Sequence, residues 1–545
     1  MTARRGGFTA QLLAVAAVCA LVFWLGLGVG GFTSTEGHRV LPAYEMLDAE
    51  GGVAGEGWGG WLVPSLFGQP YLRKPPGAPW AIALASELFG RTEFAARAVS
   101  ALSMTLLALL SAALAGRWFG RRTLAPLATG LAVALMPWLW SSGRQAEIEA
   151  MHNLAVAAAA LLLLDVLILR PRPGARSLGA AGAGLAVAAA VLAKGPAGLP
   201  VLVAAVASAC IVRRSVRPCV DPFLWLALTL AAAVLTPVGL AIAARLGDIR
   251  AAGGSIVLQS PAAFAFEPGR LVGIALLLPA AFVSAFPAAL AALFPWGPDA
   301  RREAEERRSA AGSDTPLRLA QAAVLTFLIA CGLYTLAGIG NPRYALPAAV
   351  VLPVVWGYVA AGFSAPGRMT PKRRAIARLM LLCPHPARLP GPLRPFAAPW
   401  LPIVLLAGAV FVYIPVVEGA DRAASGRTAG IALAEALRSA FPDAGGPLVL
   451  AADDLVEARP EVLHYARTAG AEQGLGLVPR WFAGVDADGL LARGDVALLR
   501  DDPGSNEWAA VAERVPEEAV LARVDVAGRW SFVVVNTRRV PGRDE

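Results

Sequence analysis

Long runs of apolar residues recur from the N-terminus of the 545-residue chain to about residue 420. Most of them approach or exceed the length of about 20 residues that a helix needs to cross a lipid bilayer. A mean hydropathy of +0.58 agrees with a polytopic α-helical membrane protein. The pattern predicts eleven transmembrane helices, near residues 8–30, 94–115, 123–140, 149–169, 177–193, 197–212, 222–244, 270–294, 317–337, 344–363 and 398–417.

Arginine clusters in every second loop predict the orientation of these helices. Short loops rich in Arg and Lys stay on the cytoplasmic side of a membrane. The alternation predicts a cytoplasmic N-terminus and an extracytoplasmic C-terminal region, in a multi-pass protein of a bacterial inner membrane. The formal net charge of +9 comes from these loops, so it does not indicate nucleic-acid binding. The clusters lie at residues 4–5, 117–122, 170–176, 213–217, 301–308 and 368–394.

The composition changes near residue 420, where short strand-like runs begin to alternate with helix-like runs. This alternation predicts a small α/β or α+β domain. We therefore divide the chain into a transmembrane domain, 1–419, and a soluble extracytoplasmic domain, 420–545. The first outer loop, 31–93, is predicted to contain two amphipathic helices, Val40–Leu47 and Ala78–Phe89. The predicted strands of the soluble domain are Pro447–Ala451, Val496–Arg500, Val520–Val526 and Trp530–Asn536.

Lysine is scarce in this chain: of 48 basic residues, only Lys74, Lys194 and Lys372 are lysine. Lys372 lies in the last cytoplasmic arginine cluster, where it helps to set topology. The other two stand beside apolar segments, in YLRKPPGAPW (71–80) and AKGP (193–196). A lysine ammonium is a compact point charge, unlike the planar guanidinium that the chain uses elsewhere. We therefore expect specific roles for Lys74 and Lys194.

Ionisable residues also gather at the predicted outer ends of the transmembrane helices. Such residues are costly near lipid, so their presence points to function. Carboxylates suit a general base, and cations suit the binding of a phosphate. The outer ends hold Glu36, His38, Arg39, Glu45, Arg73, Lys74, Arg97, Arg144, Glu147, Glu149, Lys194, Arg343 and Tyr344.

Structural interpretations compete with the functional ones. Taken singly, Arg97 and Arg144 fit side chains that snorkel to the lipid headgroups. Lys194 fits a cation at a helix C-terminus closed by the following Gly-Pro pair. Glu149 opens a helix, where an acid is favourable. Glu147 and Glu149 are two residues apart and do not share a helical face, so we do not expect them to act together.

The sequence predicts neither a metal site nor a cofactor, although a divalent metal is left open. No Cys or His cluster has the spacing of metal ligands. His38 and His152 have no partners at such spacing, so both are interpreted as structural.

Several stretches resemble the first outer loop of the glycosyltransferase family 39 proteins. They are TEGHRVLPAYEML (35–47), PYLRKPPGAPW (70–80) and LFGRTEFAAR (88–97). The family includes the protein O-mannosyltransferases and the bacterial transferases that add aminoarabinose to lipid A. The similarity continues through EAMHNL (149–154), KGP (194–196) and PRYALP (342–347), so it covers roughly residues 10–360. Its most specific part is the Lys-Pro-Pro region.

This resemblance implies a GT-C fold, with the active site at the outer face and a polyprenyl-phosphate-linked sugar as donor. It implies Glu36 as the main catalytic acid and Glu149 as the second. The family usually has an Asp-Glu pair where this chain has Thr35-Glu36, and commonly Asp where it has Glu149. The residues implied to bind the lipid phosphate are Lys74, Lys194, Arg343 and Tyr344.

The sequence therefore predicts an inverting membrane glycosyltransferase that moves a sugar to an acceptor hydroxyl or phosphate. Its expected partners are the lipid-linked donor, a lipid, glycan or protein acceptor, and membrane lipids, but no nucleic acid. One alternative is a transporter or flippase for lipid-linked sugars, whose ionisable residues should lie near the bilayer midplane. Another is a non-catalytic family member, which Thr35 would favour.

Overall fold

The computed structural model contains two compact units. The first comprises residues 1–27, 73–78 and 97–414, and the second comprises residues 28–72, 79–96 and 415–545. The structure describes residues 6–48, 57–246, 277–296, 314–339, 341–363, 400–419 and 426–541, with short gaps in the last range and single residues or short runs near 300 and 374.

The first unit is a bundle of apolar helices. Within the described residues, six helical stretches are long and apolar enough to cross a membrane. These stretches are Gly7–Trp24, Glu93–Phe119, Ile148–Leu169, Pro173–Arg213, Pro222–Leu246 and Thr315–Leu336. The helices that build the bundle are α1 (Gly6–Cys19), α5 (Glu93–Phe119), α6 (Ala125–Ala134), α7 (Pro137–Arg144), α8 (Ile148–Leu164), α9 (Pro173–Lys194), α10 (Leu199–Arg213), α11 (Pro222–Leu246), α12 (Thr315–Leu336), α13 (Leu346–Ala349), α14 (Val354–Phe363) and α15 (Trp400–Ala407).

Small residues allow these helices to approach closely. Helix α9 packs against α8 and α11, and α10 packs against α8 and α12. A Cβ atom at Gly184 of α9 would lie 2.4 Å from the carbonyl oxygen of Ala227 in α11. Close backbone approach at small residues is typical of membrane helix packing, where van der Waals contact drives association.

The six long stretches cover seven of the eleven predicted transmembrane helices, because Pro173–Arg213 contains two of them. The other four are described only as shorter elements. Pro173–Arg213 is one apolar stretch of 41 residues, and it divides into α9 and α10 at Gly195, which has a φ of 69°. The predicted segment 123–140 is divided between α6 and α7, where Pro137 opens the second helix. Residues 270–276 of the eighth segment lie outside the described residues.

The second unit combines the first outer loop with the C-terminal region. Its outer-loop helices are α2 (Ser34–Leu47), α3 (Gly57–Leu62) and α4 (Gly77–Phe89), of which α4 begins in the first unit, and a short hairpin joins β1 (Ser65–Leu66) to β2 (Gln69–Pro70). Helix α2 packs against α17 (Pro460–Glu472) of the C-terminal region. The Phe32 N–H donates to Tyr465 Oη at 2.6 Å, and Tyr465 Oη donates to Glu93 at 2.9 Å. Two parts of the chain more than 360 residues apart therefore form one core.

A five-stranded mixed sheet forms the C-terminal part of this unit. Its strand order is β4-β3-β5-β7-β6, in which β3 is parallel to β4 and β5, and β7 is antiparallel to β5 and β6. The predicted small domain of the α/β or α+β class is confirmed, and β4 is the strand that the sequence pattern missed. The elements are α16 (Arg427–Ala440), β3 (Leu448–Ala452), α17, β4 (Leu477–Trp481), α18 (Ala487–Arg493), β5 (Val496–Arg500), α19 (Glu507–Val511), β6 (Val520–Val526) and β7 (Trp530–Asn536).

Candidate functional site

Two carboxylates lie at the start of helix α8. Glu147 is the residue before the helix and has an extended backbone, with φ −116° and ψ 146°. Glu149 lies in the first helical turn. Both side chains are buried, at 7% and 5% exposure for the two residues. An acid in the first turn interacts favourably with the helix dipole, but buried carboxylates also need cationic partners.

Lys194 supplies the first cation, because helix α9 ends beside this point. Gly195 terminates α9 with a positive φ, and its N–H donates to the Val191 carbonyl. The Lys194 ammonium then reaches Glu149 Oε1 at 2.9 Å, and the Lys194 residue is only 8% exposed. Lys194 therefore lies at a helix C-terminus, as the structural interpretation predicts, and from that position it also pairs with Glu149.

Arg343 supplies the second cation from a short 3-10 turn, Pro342–Tyr344. Its Nε lies 2.8 Å from Glu149 Oε1, and its Nη2 lies 3.2 Å from Glu147 Oε2. The neighbouring Tyr344 ring lies under the Lys194 ammonium, with 4.7 Å between Nζ and the ring centroid. We call Glu147, Glu149, Lys194, Arg343 and Tyr344 the Glu149 cluster.

The expectation that Glu147 and Glu149 do not act together was wrong. The rule of helical faces applies only within a helix, and Glu147 stands before the first turn with an extended backbone. Both carboxylates consequently point to the same guanidinium, which can donate to two acceptors at once. The sequence placed Glu147 among the ionisable residues at the outer helix ends but did not assign it to the site, although its position just before an apolar helix was a usable signal.

The Lys-Pro-Pro-Gly segment packs against the end of helix α9. A Cβ atom at Gly77 would lie 2.7 Å from the carbonyl oxygen of Leu192, two residues before Lys194. Lys74 is half-exposed, and its Cα lies within about 11 Å of that of Gly77 because only three residues separate them. The segment that carries one of the two singled-out lysines therefore contacts the helix terminus that carries the other.

Glu36 lies in the second unit and is fully buried. Its Oε2 accepts a hydrogen bond from the Thr33 N–H at 2.9 Å, so this carboxylate caps the start of helix α2. The next residue, Gly37, leaves room for Glu461 of α17, since a Cβ at Gly37 would lie 3.2 Å from the Glu461 nitrogen. The structure thus assigns Glu36 a helix-capping contact that the sequence interpretation did not include.

Glu461 is a second buried acid in this unit. Its Oε1 lies 2.6 Å from Arg459 Nε. Burial, with a smaller contribution from the Glu36 charge, raises the pKa of the Glu461 carboxyl from its ordinary 4.5 to about 7, against the lowering effect of Arg459. The surroundings of Glu36 therefore include a carboxyl that changes protonation near neutral pH.

Arg97 and Arg144 do not snorkel, contrary to the expectation for single arginines. They are 1% and 0% exposed. Arg144 donates to the carbonyls of Val22 and Leu25 at 3.0 and 2.7 Å, and Arg97 donates to that of Leu27 at 3.2 Å. The Val22 carbonyl lies in the last turn of the first transmembrane helix, and those of Leu25 and Leu27 follow its end, where intrahelical donors run out. Both arginines therefore satisfy backbone groups at that helix end.

The Glu149 cluster has the features of an anion site. Two carboxylates hold two cations in place, and Arg343 keeps a side chain that is 44% exposed. A guanidinium and an ammonium held in this way can bind a phosphate and stabilise charge that develops on it. Among the residues that the structure describes, no three His, Cys, Asp or Glu side chains are grouped to bind a metal ion.

Comparison with protein families and curated proteins gives two sequence matches. Residues 73–240 match the family model of dolichyl-phosphate-mannose-protein mannosyltransferases. A stretch of 98 residues is 42% identical to the undecaprenyl phosphate-alpha-4-amino-4-deoxy-L-arabinose arabinosyl transferase of Pseudomonas savastanoi pv. phaseolicola. That match covers 18% of this chain and 17% of the length of the relative.

Two solved structures resemble the whole chain. They are of ArnT from Cupriavidus metallidurans, at 17% sequence identity in each case. The apo form has a TM-score of 0.63 and covers 96% of this chain and 98% of its own, and the form bound to undecaprenyl phosphate has a TM-score of 0.60 and covers 99% of each. At this identity the likeness establishes the fold. The predicted helical membrane fold with a small C-terminal α/β or α+β region is confirmed.

Proposed function

We propose that this chain is a glycosyltransferase of family 39 that transfers a sugar from a polyprenyl-phosphate donor to an acceptor at the outer face of a bacterial inner membrane. The family match covers residues 73–240, which include Lys74, Glu149 and Lys194. The names of the relatives suggest undecaprenyl phosphate as the carrier. A pentose is the sugar that the curated relative favours.

The observation that carries the proposal is the shared carboxylate oxygen of the Glu149 cluster. Lys194 Nζ and Arg343 Nε lie 2.9 and 2.8 Å from the same Glu149 Oε1. One carboxylate thus fixes two cations, so the cost of ordering their long side chains is met before a ligand binds. A donor phosphate that reaches these cations needs little further rearrangement.

The proposed reaction is a single displacement at the anomeric carbon. The acceptor oxygen attacks that carbon, the bond from the carbon to the phosphate oxygen breaks, and its electron pair remains on the departing polyprenyl phosphate. Lys74, Lys194 and Arg343 offset the charge that grows on this phosphate, and Tyr344 lines the Lys194 side. Attack from the face opposite the leaving group inverts the anomeric configuration.

The acids have different proposed roles. Glu149 accepts from two cations, which suits the organisation of the site. Glu36 is proposed, from the family resemblance, to take the proton of the acceptor hydroxyl. In the proposed topology the N-terminus is cytoplasmic and the C-terminal α/β region extracytoplasmic, as the arginine-rich loops predict.

The three lysines of the chain offer a matched test. We expect Lys74→Met and Lys194→Met to reduce transfer from a labelled undecaprenyl-phosphate-linked sugar at least tenfold in membranes. Lys372→Met, in a predicted cytoplasmic loop, should retain wild-type transfer. Equal transfer by all three variants would contradict the phosphate-binding assignment. Donor that crosses the membrane without release of undecaprenyl phosphate would indicate a transporter instead.

A further inference from the structure

Three polar atoms on one face of helix α8 are buried without hydrogen-bond partners among the described residues. They are Glu149 Oε2, His152 Nε2 and Asn153 Nδ2. The three residues are 5%, 1% and 1% exposed. Spacings of three and four residues place them on the same side of the helix, over about 6 Å of its length.

Buried polar atoms without partners are rare in proteins, because leaving water without a replacement hydrogen bond is costly. Three such atoms within about one turn of one helix require an explanation. An occupant that reaches these atoms would supply the missing partners.

The orientation of His152 indicates which hydrogen-bonding groups such an occupant must carry. Its Nδ1 lies 3.2 Å from the Ala190 carbonyl oxygen. A carbonyl only accepts hydrogen bonds, so a neutral His152 carries its proton on Nδ1 and leaves Nε2 as an acceptor. Glu149 Oε2 is an acceptor as well, while Asn153 Nδ2 is a donor.

An array of two acceptors and one donor does not suit a phosphate, whose oxygens accept and carry negative charge. It suits hydroxyl groups, each of which both donates and accepts. The other oxygen of Glu149 faces Lys194 and Arg343. A ligand with a phosphate at the cations and hydroxyls beside it would therefore satisfy both sides of this carboxylate.

Gly198 forms part of the wall beside His152. A Cβ at this position would lie 3.5 Å from His152 Nε2 and 2.4 Å from Val156 Cγ2. Only glycine allows the turn after helix α9 to approach α8 this closely without placing a methyl group beside Nε2.

We propose that Glu149, His152 and Asn153 form a subsite for the hydroxyl groups of the donor sugar, next to the cations that bind its phosphate. The inference rests on the proposed function for the identity of the donor. It gives His152 a binding role in addition to the structural contact of its Nδ1.

The test compares the binding of two probes to the purified full-length protein. One is undecaprenyl phosphate-4-amino-4-deoxy-L-arabinose, and the other is undecaprenyl phosphate, which lacks the sugar. Asn153→Leu removes the donor and keeps the number of side-chain heavy atoms, and His152→Phe removes the ring nitrogens. Each variant should weaken binding of the sugar-bearing probe about tenfold and leave binding of undecaprenyl phosphate unchanged.

Ser111→Ala provides the matched control. The Ser111 hydroxyl is also buried without a partner among the described residues, but it lies in helix α5 away from the cluster. Its loss should leave both dissociation constants at their wild-type values. If Asn153→Leu does not fold, His152→Phe carries the test alone.

The outcomes separate this proposal from the proposed function. An unchanged ratio of the two dissociation constants in the folded variants would overturn the subsite, whether both constants stay at their wild-type values or both rise equally. A wild-type protein that binds neither probe would overturn the subsite and the function together. Selective loss of the sugar-bearing probe without turnover by the wild type would support the subsite and contradict only the proposed reaction.

Discussion

Replacement of Lys194 by Met should destabilise the protein and abolish transfer, and a second substitution at Glu149 should destabilise it by less than its own separate effect, without restoring transfer. Lys194 Nζ lies 2.9 Å from Glu149 Oε1, and both side chains are 6% exposed. Removing one partner of a buried ion pair typically costs about 3–5 kcal/mol, because the other charge remains buried. Arg343 still contacts Glu149 at 2.8 Å, so we expect a loss near the lower limit, about 3 kcal/mol.

The double variant Lys194→Met/Glu149→Gln tests the origin of this loss. With both charges removed, no unpaired carboxylate remains, so the double variant should be about 2 kcal/mol more stable than the sum of the single effects predicts. Transfer should stay absent in the double variant, because the cation that binds the phosphate is still missing. Equilibrium unfolding in mixed micelles measures the stabilities, and release of polyprenyl phosphate measures transfer.

Two results would contradict the roles given to Lys194. Additive single effects would mean that the Lys194–Glu149 contact contributes no net interaction energy. Recovery of transfer in the double variant would mean that Lys194 only neutralises Glu149 and does not bind the donor.

Three further predictions concern other parts of the chain. Gly77→Ala would place a Cβ 2.7 Å from the Leu192 oxygen, so it should lower the free energy of unfolding by about 1–3 kcal/mol and reduce transfer at least tenfold. As a control, Gly174→Ala adds a Cβ in open space and should change neither stability nor transfer. Burial raises the pKa of Glu461 to about 7, so the folded protein holds this proton more tightly than the unfolded chain. The free energy of unfolding should therefore fall as the pH rises from about 4.5 to above 7. Glu461→Gln should flatten that pH dependence in thermal unfolding. Reporter fusions after residues 30, 175 and 420 should read outside, inside and outside.

Each of these has a contradicting result. Wild-type transfer in Gly77→Ala would show that the Lys-Pro-Pro-Gly segment can shift without consequence. If the pH dependence of stability persists in Glu461→Gln, another group causes it. Glu472→Gln, at an exposed position of the same helix, is the control and should leave the pH dependence unchanged. A cytoplasmic reporter after residue 420 would reverse the proposed orientation.

Much of the fold followed from periodicity and composition. The transmembrane helices were predictable because lipid requires long apolar runs, and β5, β6 and β7 were predicted to the residue because turn-forming residues bound them. Strand β4 was missed because Leu477–Trp481 contains a proline and an arginine, which weaken the strand pattern. Its place at the edge of the sheet permits such residues.

The candidate site was less accessible from the sequence. Glu149, Lys194, Arg343 and Tyr344 were singled out, and the structure brings these four together. The contact of Glu147 with Arg343 depends on a backbone that turns just before the helix, and the burial of Arg97 and Arg144 depends on carbonyls of a different helix. Such contacts join distant parts of the chain, so local pattern does not contain them.

The central claim is that this protein breaks the bond between a sugar and a polyprenyl phosphate and passes the sugar on. The most direct measurement is mass spectrometry of the purified wild-type protein with an undecaprenyl-phosphate-linked sugar and an envelope lipid extract. We expect the wild-type protein to produce free undecaprenyl phosphate and a glycosylated acceptor in a one-to-one ratio, and Lys194→Met to produce neither. Intact donor after prolonged incubation of folded wild-type protein with a complete acceptor extract would contradict it.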